Sequence, residues 1–257
     1  MTTEIDPRAV VDPTARLDPG CRLGPFCIVE AGAGIGEGCE LEPFSRVCRN
    51  SSLGPGVRVG QGAVIGGLAQ VTGLVDGGNC QVGENARIGE YATIHASKLP
   101  GGSTILGSGA MLMAYAHVGH DCAIGSGAIV ANAAQLGGHV ELERGVFLGG
   151  GTLVHQFVRV GEFAFVAGGI RLDRDVAPWS RAMGEPPRWA GLNLVGMRRS
   201  PQAPDANQAS RSLRTLFRQG FALGDAVLRL TDSDTPTDAI LIAFVERSRR
   251  GLLRPKG

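Results

Sequence analysis

Five histidines carry the chemistry this sequence points to. His117, His120 and His139 fall in AHVGHDCAIGSGAIVANAAQLGGHV, residues 116–140, with His95 before that stretch and His155 after it. Asp121 follows His120 directly. An imidazole beside a carboxylate suits general-base work, because the carboxylate sets the ring tautomer and stabilises the imidazolium. Three imidazoles with water would instead suit zinc. Either chemistry needs the residues to converge. A segment so rich in glycine makes a poor helix, so something other than helical periodicity must bring them together.

A period of six does so. Stepping from Ile5 meets Val11, Leu17, Leu23, Val29, Ile35, Leu41, Val47, Leu53, Val59 and Ile65, every one aliphatic. Four residues after each comes a small or β-branched residue, as at Ala9, Ala15, Cys21, Cys27 and Cys39. The pattern is lost over 66–81 and restarts one residue out of phase at Val82, Ile88 and Ile94. It pauses over 96–105, then runs from Leu106 to Leu172. One inward aliphatic residue per hexad describes a parallel β-helix, three hexads closing each 18-residue coil and coils stacking about 4.8 Å apart. Composition agrees: 43% of residues are hydrophobic, only 5% aromatic, and 40 are glycine, which suits a closely stacked aliphatic prism. The expected fold is all-β with an α-helical tail: a β-helix over 1–177 with excursion loops at 66–81 and 96–105, a Pro-rich connector over 178–204, and a helical C-terminal domain over 205–257. In the tail Ala209, Leu213, Leu216 and Phe217 share one helical face, Leu223, Ala226, Val227 and Leu230 suggest a second helix, and Ile240, Ile242, Ala243 and Phe244 mark a third.

The 18-residue coil turns sequence separation into geometry. His120, His139 and His155 belong to the hexads begun by Val118, Leu136 and Val154, so they share one wall on successive coils. Asp121 stacks against His139, Gly138 against His120, and Gln156 against Gly138. His117 stands at the adjacent corner, and the same count puts His95 one wall back, beneath the hexad of Leu112. His120 can then be a base, Asp121 its partner, and the Gly138 N–H a donor to a tetrahedral oxyanion. A thioester donor would need no serine or cysteine nucleophile, and Cys122 occupies the small inward slot of its hexad.

The remaining features narrow the class. A net charge of +1 gives no sign of a nucleic-acid partner. No apolar stretch approaches the ~18 residues of a membrane span, and MTTEIDPRAV lacks a signal-peptide pattern, so the expected location is the cytoplasm. Six cysteines without a C-x-x-C pair argue against a metal or disulfide framework. The basic segment RSRRGLLRPKG fits a helix C-terminus or an acidic partner equally.

The prism, AHVGHDCAIGS, LGGHV, LVHQF, LNLVGMRR and the tail ending FVERSRRGLLRP together resemble the acyl-carrier-protein-dependent UDP-N-acetylglucosamine O-acyltransferases of lipid A biosynthesis over nearly the whole chain. The resemblance implies a left-handed β-helix, a homotrimer with active sites between subunits, and no metal or other cofactor. It implies transfer of a 3-hydroxyacyl chain from the phosphopantetheine thioester of acyl carrier protein to the 3-position of the UDP-sugar or its 3-amino analogue. It puts the general base on His120, its partner on Asp121 and the oxyanion N–H on Gly138. Substrate contacts fall on Gln70, His95, His117, His139, His155 and Gln156, and nucleotide or pantetheine contacts on Asn193 and Arg199. The chain departs from the family where a Gln-Asp-Leu-Lys run reads Gln70-Val71-Thr72-Gly73, where an acidic residue is Val195, and where the position that helps measure acyl length is Pro186. Asp76 is a candidate to replace the missing carboxylate. Three other readings remain at this stage: an acyltransferase of the same fold using a different nucleotide sugar, a zinc hydratase resembling γ-carbonic anhydrase, whose His-x-x-x-x-His spacing is missing here, and a non-catalytic scaffold, against which the intact His120–Asp121 pair argues.

Overall fold

In the computed structural model, residues 2–73, 77–200, 203–217, 222–232 and 235–255 are described. The chain winds into a left-handed parallel β-helix of triangular section, followed by helices. Among the described residues the first wall, from Glu4–Ile5 to Ser180–Met183 with Arg188–Leu192 beside it, has eleven strands. The second wall, Val10–Val11 to Arg171–Leu172, has nine, and the third, Arg16–Leu17 to Arg159–Val160, has eight. Most strands are two residues long: one side chain points out, and the next is the aliphatic residue of the hexad, pointing in. In-register pairs such as Leu23 with Leu41 and Val118 with Leu136 stack the inward residues into columns. Cys21, Cys27, Cys39, Cys80 and Cys122 fill small inward slots and are buried thiols, like Cys48.

The corners bear on function. Between Gly20 and Gly169 the second turn residue of the corners sits at positive φ, and at several corners it is not glycine: Phe26, Phe44, Tyr91, Tyr115, Asp121, His139 and Phe157 among them. That region disfavours side chains with a Cβ. The ring-bearing corners are stacked coil on coil, Phe26 on Phe44 with centroids 5.1 Å apart, Tyr91 on Tyr115 at 5.4 Å and His139 on Phe157 at 4.6 Å. Corner side chains thus project as ladders along the prism edges, and Asp121 and His139 occupy one of them. Just before such a corner, Gly119 lets two coils approach closely: a Cβ there would stand 2.8 Å from the Leu136 carbonyl oxygen.

The two breaks in the repeat are excursions from the second wall, shorter than the sequence suggests. One lies between Val64–Gly67 and Asn79–Val82, the other between Thr93–His95 and Ser103–Leu106. The strands that close them, Asn79–Val82 and Ser103–Leu106, lengthen to four residues each and pair throughout.

Residues 178–204 are not a bare connector. Ser180–Met183 adds in parallel to Phe165–Val166, its residues alternating buried and exposed, and Arg188–Leu192 turns back antiparallel to it. Helix α1 (Leu194–Arg199) follows, then α2 (Ala206–Leu216), α3 (Leu223–Thr231) and α4 (Pro236–Glu246). Asp205 and Thr235 cap α2 and α4 through their side chains. A second core forms around Trp179, Leu213, Leu216, Leu230, Leu241 and Phe244. Helix α4 turns Thr237, Leu241 and Phe244 inward, whereas Ile240 and Ala243, read from the sequence as apolar-face residues, are exposed. Arg159 joins this tail to the prism. Its buried guanidinium donates to Glu141 and Glu143 at 3.0 Å each and to the Phe244 carbonyl at 2.9 Å, and lies 4.4 Å from the Phe244 ring centroid. The basic end is partly docked rather than free: Arg247 donates to Glu141 at 3.0 Å and Arg250 to the Asp173 carbonyl at 3.0 Å.

Candidate active site

The second wall and the corner it shares with the third collect all five histidines. His120 Nδ1 lies 2.7 Å from Asp121 Oδ2. With the carboxylate ionised, Nδ1 must be the donor, so the neutral ring keeps its free lone pair on Nε2. Gly138 lies against that ring: a Cβ would stand 2.5 Å from His120 Cε1 and 2.6 Å from Nε2. Among the described residues the Gly138 N–H donates to no acceptor. The His139 N–H donates to the His120 carbonyl at 2.9 Å, which locks the two coils in this register. A base with its lone pair on Nε2 therefore sits beside an uncommitted amide.

Asp121 is set for an ionised partner. Burial would raise its pKa, yet the Ser97 hydroxyl, His120 Nδ1–H and the Lys98 N–H hold it below the usual carboxylate range. Its own N–H donates to Thr104 Oγ1 at 2.8 Å. His139 stacks on Phe157 and meets the His120 ring edge-on at 5.2 Å. Its Nε2, buried and among the described residues without a hydrogen-bond partner, lies 3.8 Å from Asp121 Oδ2. Burial lowers the His139 pKa, and the nearby Asp121 carboxylate only partly opposes it. His120, Asp121 and His139 present ligand atoms within 4.8 Å of one another, a spacing a cation could bridge. His120 Nδ1 and Asp121 Oδ2 are, however, already engaged with each other as donor and acceptor, which suits a base better than a ligand set.

His117 bonds Thr93 Oγ1 through Nδ1 at 2.9 Å, and burial, with the neighbouring His95, pushes its pKa down to about 4. It is neutral at pH 7, so it can take part in a hydrogen bond but carries no charge. A histidine lowered in this way leaves the unfolded chain binding more protons between pH 4 and its ordinary 6.5. Its stabilising contribution is complete above that window and is lost as pH falls through it. His117→Gln should therefore lose less stability than the unsubstituted protein between pH 7 and pH 4.5 in urea unfolding; identical pH dependence would refute the assignment.

His95 is a correction to the 18-residue count. It stands on the same wall as His117, one coil away, because Ile94 pairs with Val118. The second excursion lengthens that coil, so the count of 18 fails across it. The His95 and His117 rings meet at 5.1 Å, and His95 Nδ1–H donates to the Leu68 carbonyl at 2.5 Å, tying the first excursion to the histidine wall. Gln70 is exposed two residues beyond that carbonyl. His155 and Gln156 are exposed on the coil above, with His155 Nδ1–H donating to the Gln156 carbonyl at 3.2 Å. A groove of about 440 Å³ between His117 and His155 is lined also by Gln135, Leu153 and Arg171. A larger hollow of about 760 Å³, lined by Arg46, Arg49 and Leu68, lies toward the N-terminal end of the same wall and holds none of the histidines.

Asn193 and Arg199 do not meet the histidines within this chain. Asn193 is the N-cap of α1, accepting from the Gly196 N–H and donating to the Phe163 carbonyl at 2.8 Å. Phe163 marks a corner between the third and first walls, a different edge of the prism from His120. Arg199 is exposed at the end of α1, Val195 is exposed on it, and Pro186 is exposed in the turn before Arg188–Leu192. Asp76 lies outside the described residues. Sequence reasoning missed Ser97, Thr93, Thr104 and Phe157. Only Phe157, 18 residues beyond His139, had a signal in the repeat; the others serve the site across an excursion or through a single side-chain bond.

Fold and site together define a hexapeptide-repeat β-helix that carries a carboxylate-braced histidine on its wall. Comparisons then specify the family. The family profile described as "Udp N-acetylglucosamine O-acyltransferase; Domain 2" matches residues 175–253, and "Bacterial transferase hexapeptide (six repeats)" matches 103–138. The UDP-N-acetylglucosamine acyltransferase structure from Francisella novicida is 30% identical, with a TM-score of 0.93 over 98% of this chain and 95% of that one. Its counterpart from Campylobacter jejuni is 33% identical, with a TM-score of 0.92 over 98% and 100%. The acyl-[acyl-carrier-protein]–UDP-N-acetylglucosamine O-acyltransferase of Myxococcus xanthus is 40% identical over 157 residues, 60% of this chain and 61% of that one. For the Alkalilimnicola ehrlichii relative, 38% identical, the matched stretch spans 40% of its length. The chain belongs to the UDP-N-acetylglucosamine O-acyltransferase family.

Proposed function

We propose that the protein is an acyltransferase that moves a 3-hydroxyacyl chain from acyl carrier protein to the 3-position of UDP-N-acetylglucosamine, or of its 3-amino analogue, in lipid A biosynthesis. The observation that carries this reading is the 2.7 Å His120–Asp121 bond with glycine packed against the imidazole. His120 Nε2 takes the proton from the acceptor hydroxyl or amine as its oxygen or nitrogen attacks the thioester carbonyl. The new bond leaves a tetrahedral oxyanion, which the Gly138 N–H stabilises. Collapse breaks the C–S bond, and the imidazolium returns its proton to the departing pantetheine sulfur. Asp121 holds the ring in the tautomer this cycle needs and stabilises the charged intermediate. The donor is already activated, so the reaction proceeds without a nucleophilic side chain, cofactor or metal.

His139, whose buried Nε2 has no hydrogen-bond partner among the described residues, and the neutral His117 supply hydrogen bonds to the acceptor, while His95, Gln70, His155 and Gln156 line its approach. Asn193 and Arg199 contact the nucleotide or pantetheine from a neighbouring subunit of a homotrimer, a reading supported by their place on a different prism edge from His120. Among the described residues no helix is long and apolar enough to cross a membrane, and the reaction is assigned to the cytoplasm.

The test is an acyl-transfer assay with 3-hydroxyacyl carrier-protein thioesters of several lengths against UDP-N-acetylglucosamine, its 3-amino analogue and dTDP-amino sugars. Transfer to one of the first two acceptors is expected. Transfer only to a dTDP-sugar, or to none, would overturn the reading.

A further inference from the structure

We propose that Ser97 is a positioning residue of the active site, holding the Asp121 carboxylate in the orientation that fixes His120. The proposal rests on the reading of His120 as the base. Ser97 lies in the second excursion, and its hydroxyl donates to Asp121 Oδ1. The other carboxylate oxygen, Oδ2, takes His120 Nδ1–H at 2.7 Å and the Lys98 N–H at 3.3 Å. Among the described residues Ser97 is the only donor to Oδ1. The carboxylate is thus gripped at both oxygens, on a corner whose backbone is already fixed at φ +60°.

The excursion is shaped to hold that hydroxyl. Ser97 is 2% exposed. Its N–H donates to the Asn79 carbonyl at 3.2 Å, and its oxygen accepts the Leu99 N–H at 3.0 Å. Gly78 and Gly102 press on it from either excursion, and a Cβ at either would collide with Ser97 atoms. The Gly101 N–H donates to the Gly77 carbonyl at 3.0 Å, clasping the two excursions together. A serine that only shaped its own turn would need no more than the bond from the Leu99 N–H. The hydroxyl proton has two acceptors within reach, and Asp121 Oδ1 is much the nearer, the Leu99 carbonyl standing at 3.5 Å.

The consequence is tautomeric. A neutral imidazole takes the form its hydrogen-bond partner selects, and an unconstrained one favours Nε2–H, which cannot act as the base at Nε2. If Ser97 is removed, the carboxylate can turn about its Cβ–Cγ bond and its hold on Nδ1–H loosens. The substrate contacts of His117 and His155 are untouched, so the effect should fall on kcat.

The experiment compares the full-length protein with Ser97→Ala and Ser97→Cys, the thiol being a weaker donor. In 15N solid-state NMR of histidine-labelled protein at neutral pH, with the His120 signal assigned by its loss in His120→Ala, the unsubstituted protein should show the Nδ1–H form. Ser97→Ala should move it measurably toward Nε2–H. Its kcat should fall about tenfold with KM changed less than about twofold, and Ser97→Cys should lie between. An unchanged tautomer in Ser97→Ala, or a loss of activity that follows only a loss of folded protein, would overturn the proposal. If the unsubstituted protein transfers no acyl chain to any acceptor, the functional reading fails, and the tautomer comparison still decides the role of Ser97.

Discussion

His120→Ala is expected to lower kcat by about 10³- to 10⁴-fold, the size of a lost general base, while the prism keeps its stability. The side chain lies outside the prism interior, covered at a corner with 6% of its surface exposed, and the stack is held by inward residues such as Val118, Ile124 and Leu136. The bond on which the corner depends, from the His139 N–H to the His120 carbonyl, is a backbone bond that alanine retains. Acceptor affinity should change little, because the groups assigned to hold it are other histidines. Single-turnover acyl transfer, with a denaturant melt on the same sample, makes the measurement. More than a tenth of the original rate in a fully folded variant would remove His120 from the base role.

Gly138→Ala is the second large effect and the more discriminating one. Alanine keeps the backbone N–H, and Gly138 is not among the glycines at positive φ, so the substitution adds a methyl group without backbone strain. That methyl would stand 2.5 Å from His120 Cε1. The imidazole must rotate away and give up its bond to Asp121. A loss of about 10²- to 10³-fold in kcat is expected, comparable to removing a positioned group from an acyl-transfer site. Since the damage passes through His120, Gly138→Ala should cost almost nothing further in a His120→Ala background, a non-additivity expected of residues that act as a unit. Gly34→Ala is the control, because a Cβ there meets only Ser52 Cβ at 3.9 Å. Additive losses in the double variant would mean that Gly138 acts independently of His120.

The remaining expectations are smaller and separate the site's parts. His117→Gln reports burial of a neutral imidazole through the pH dependence of stability. Ser97→Ala reports the hold on the carboxylate through a tautomer.

How much of this was legible in the sequence depended on whether the hexads ran unbroken. Between Leu106 and Leu172 they do, and there the 18-residue count put Gly138 beside His120 and Asp121 beside His139, as their contacts bear out. Even the aliphatic and small slots could be assigned, since each hexad repeats the same strand and corner. The count misplaced His95, on the far side of an excursion, and gave no hint that Ser97 reaches Asp121. In the tail the helical apolar faces located α2, α3 and α4 but misjudged the inner face of α4, where packing with α2 and α3 in the second core selects Leu241 and Phe244 and leaves Ile240 outside. For Asn193 the family resemblance implies a nucleotide or pantetheine contact, and only the structure shows that its side chain also caps α1.

The sequence by itself determined the coil, its core and the juxtaposition of His120 with Gly138, because a strict period converts covalent spacing directly into register. The tertiary structure alone decided how many residues each excursion takes up, which side chains it returns to the wall, and how the tail packs. Loop closure depends only weakly on length, so many excursion lengths are compatible with the same prism. Which one brings Ser97 onto Asp121 is set by contacts between segments that no period links.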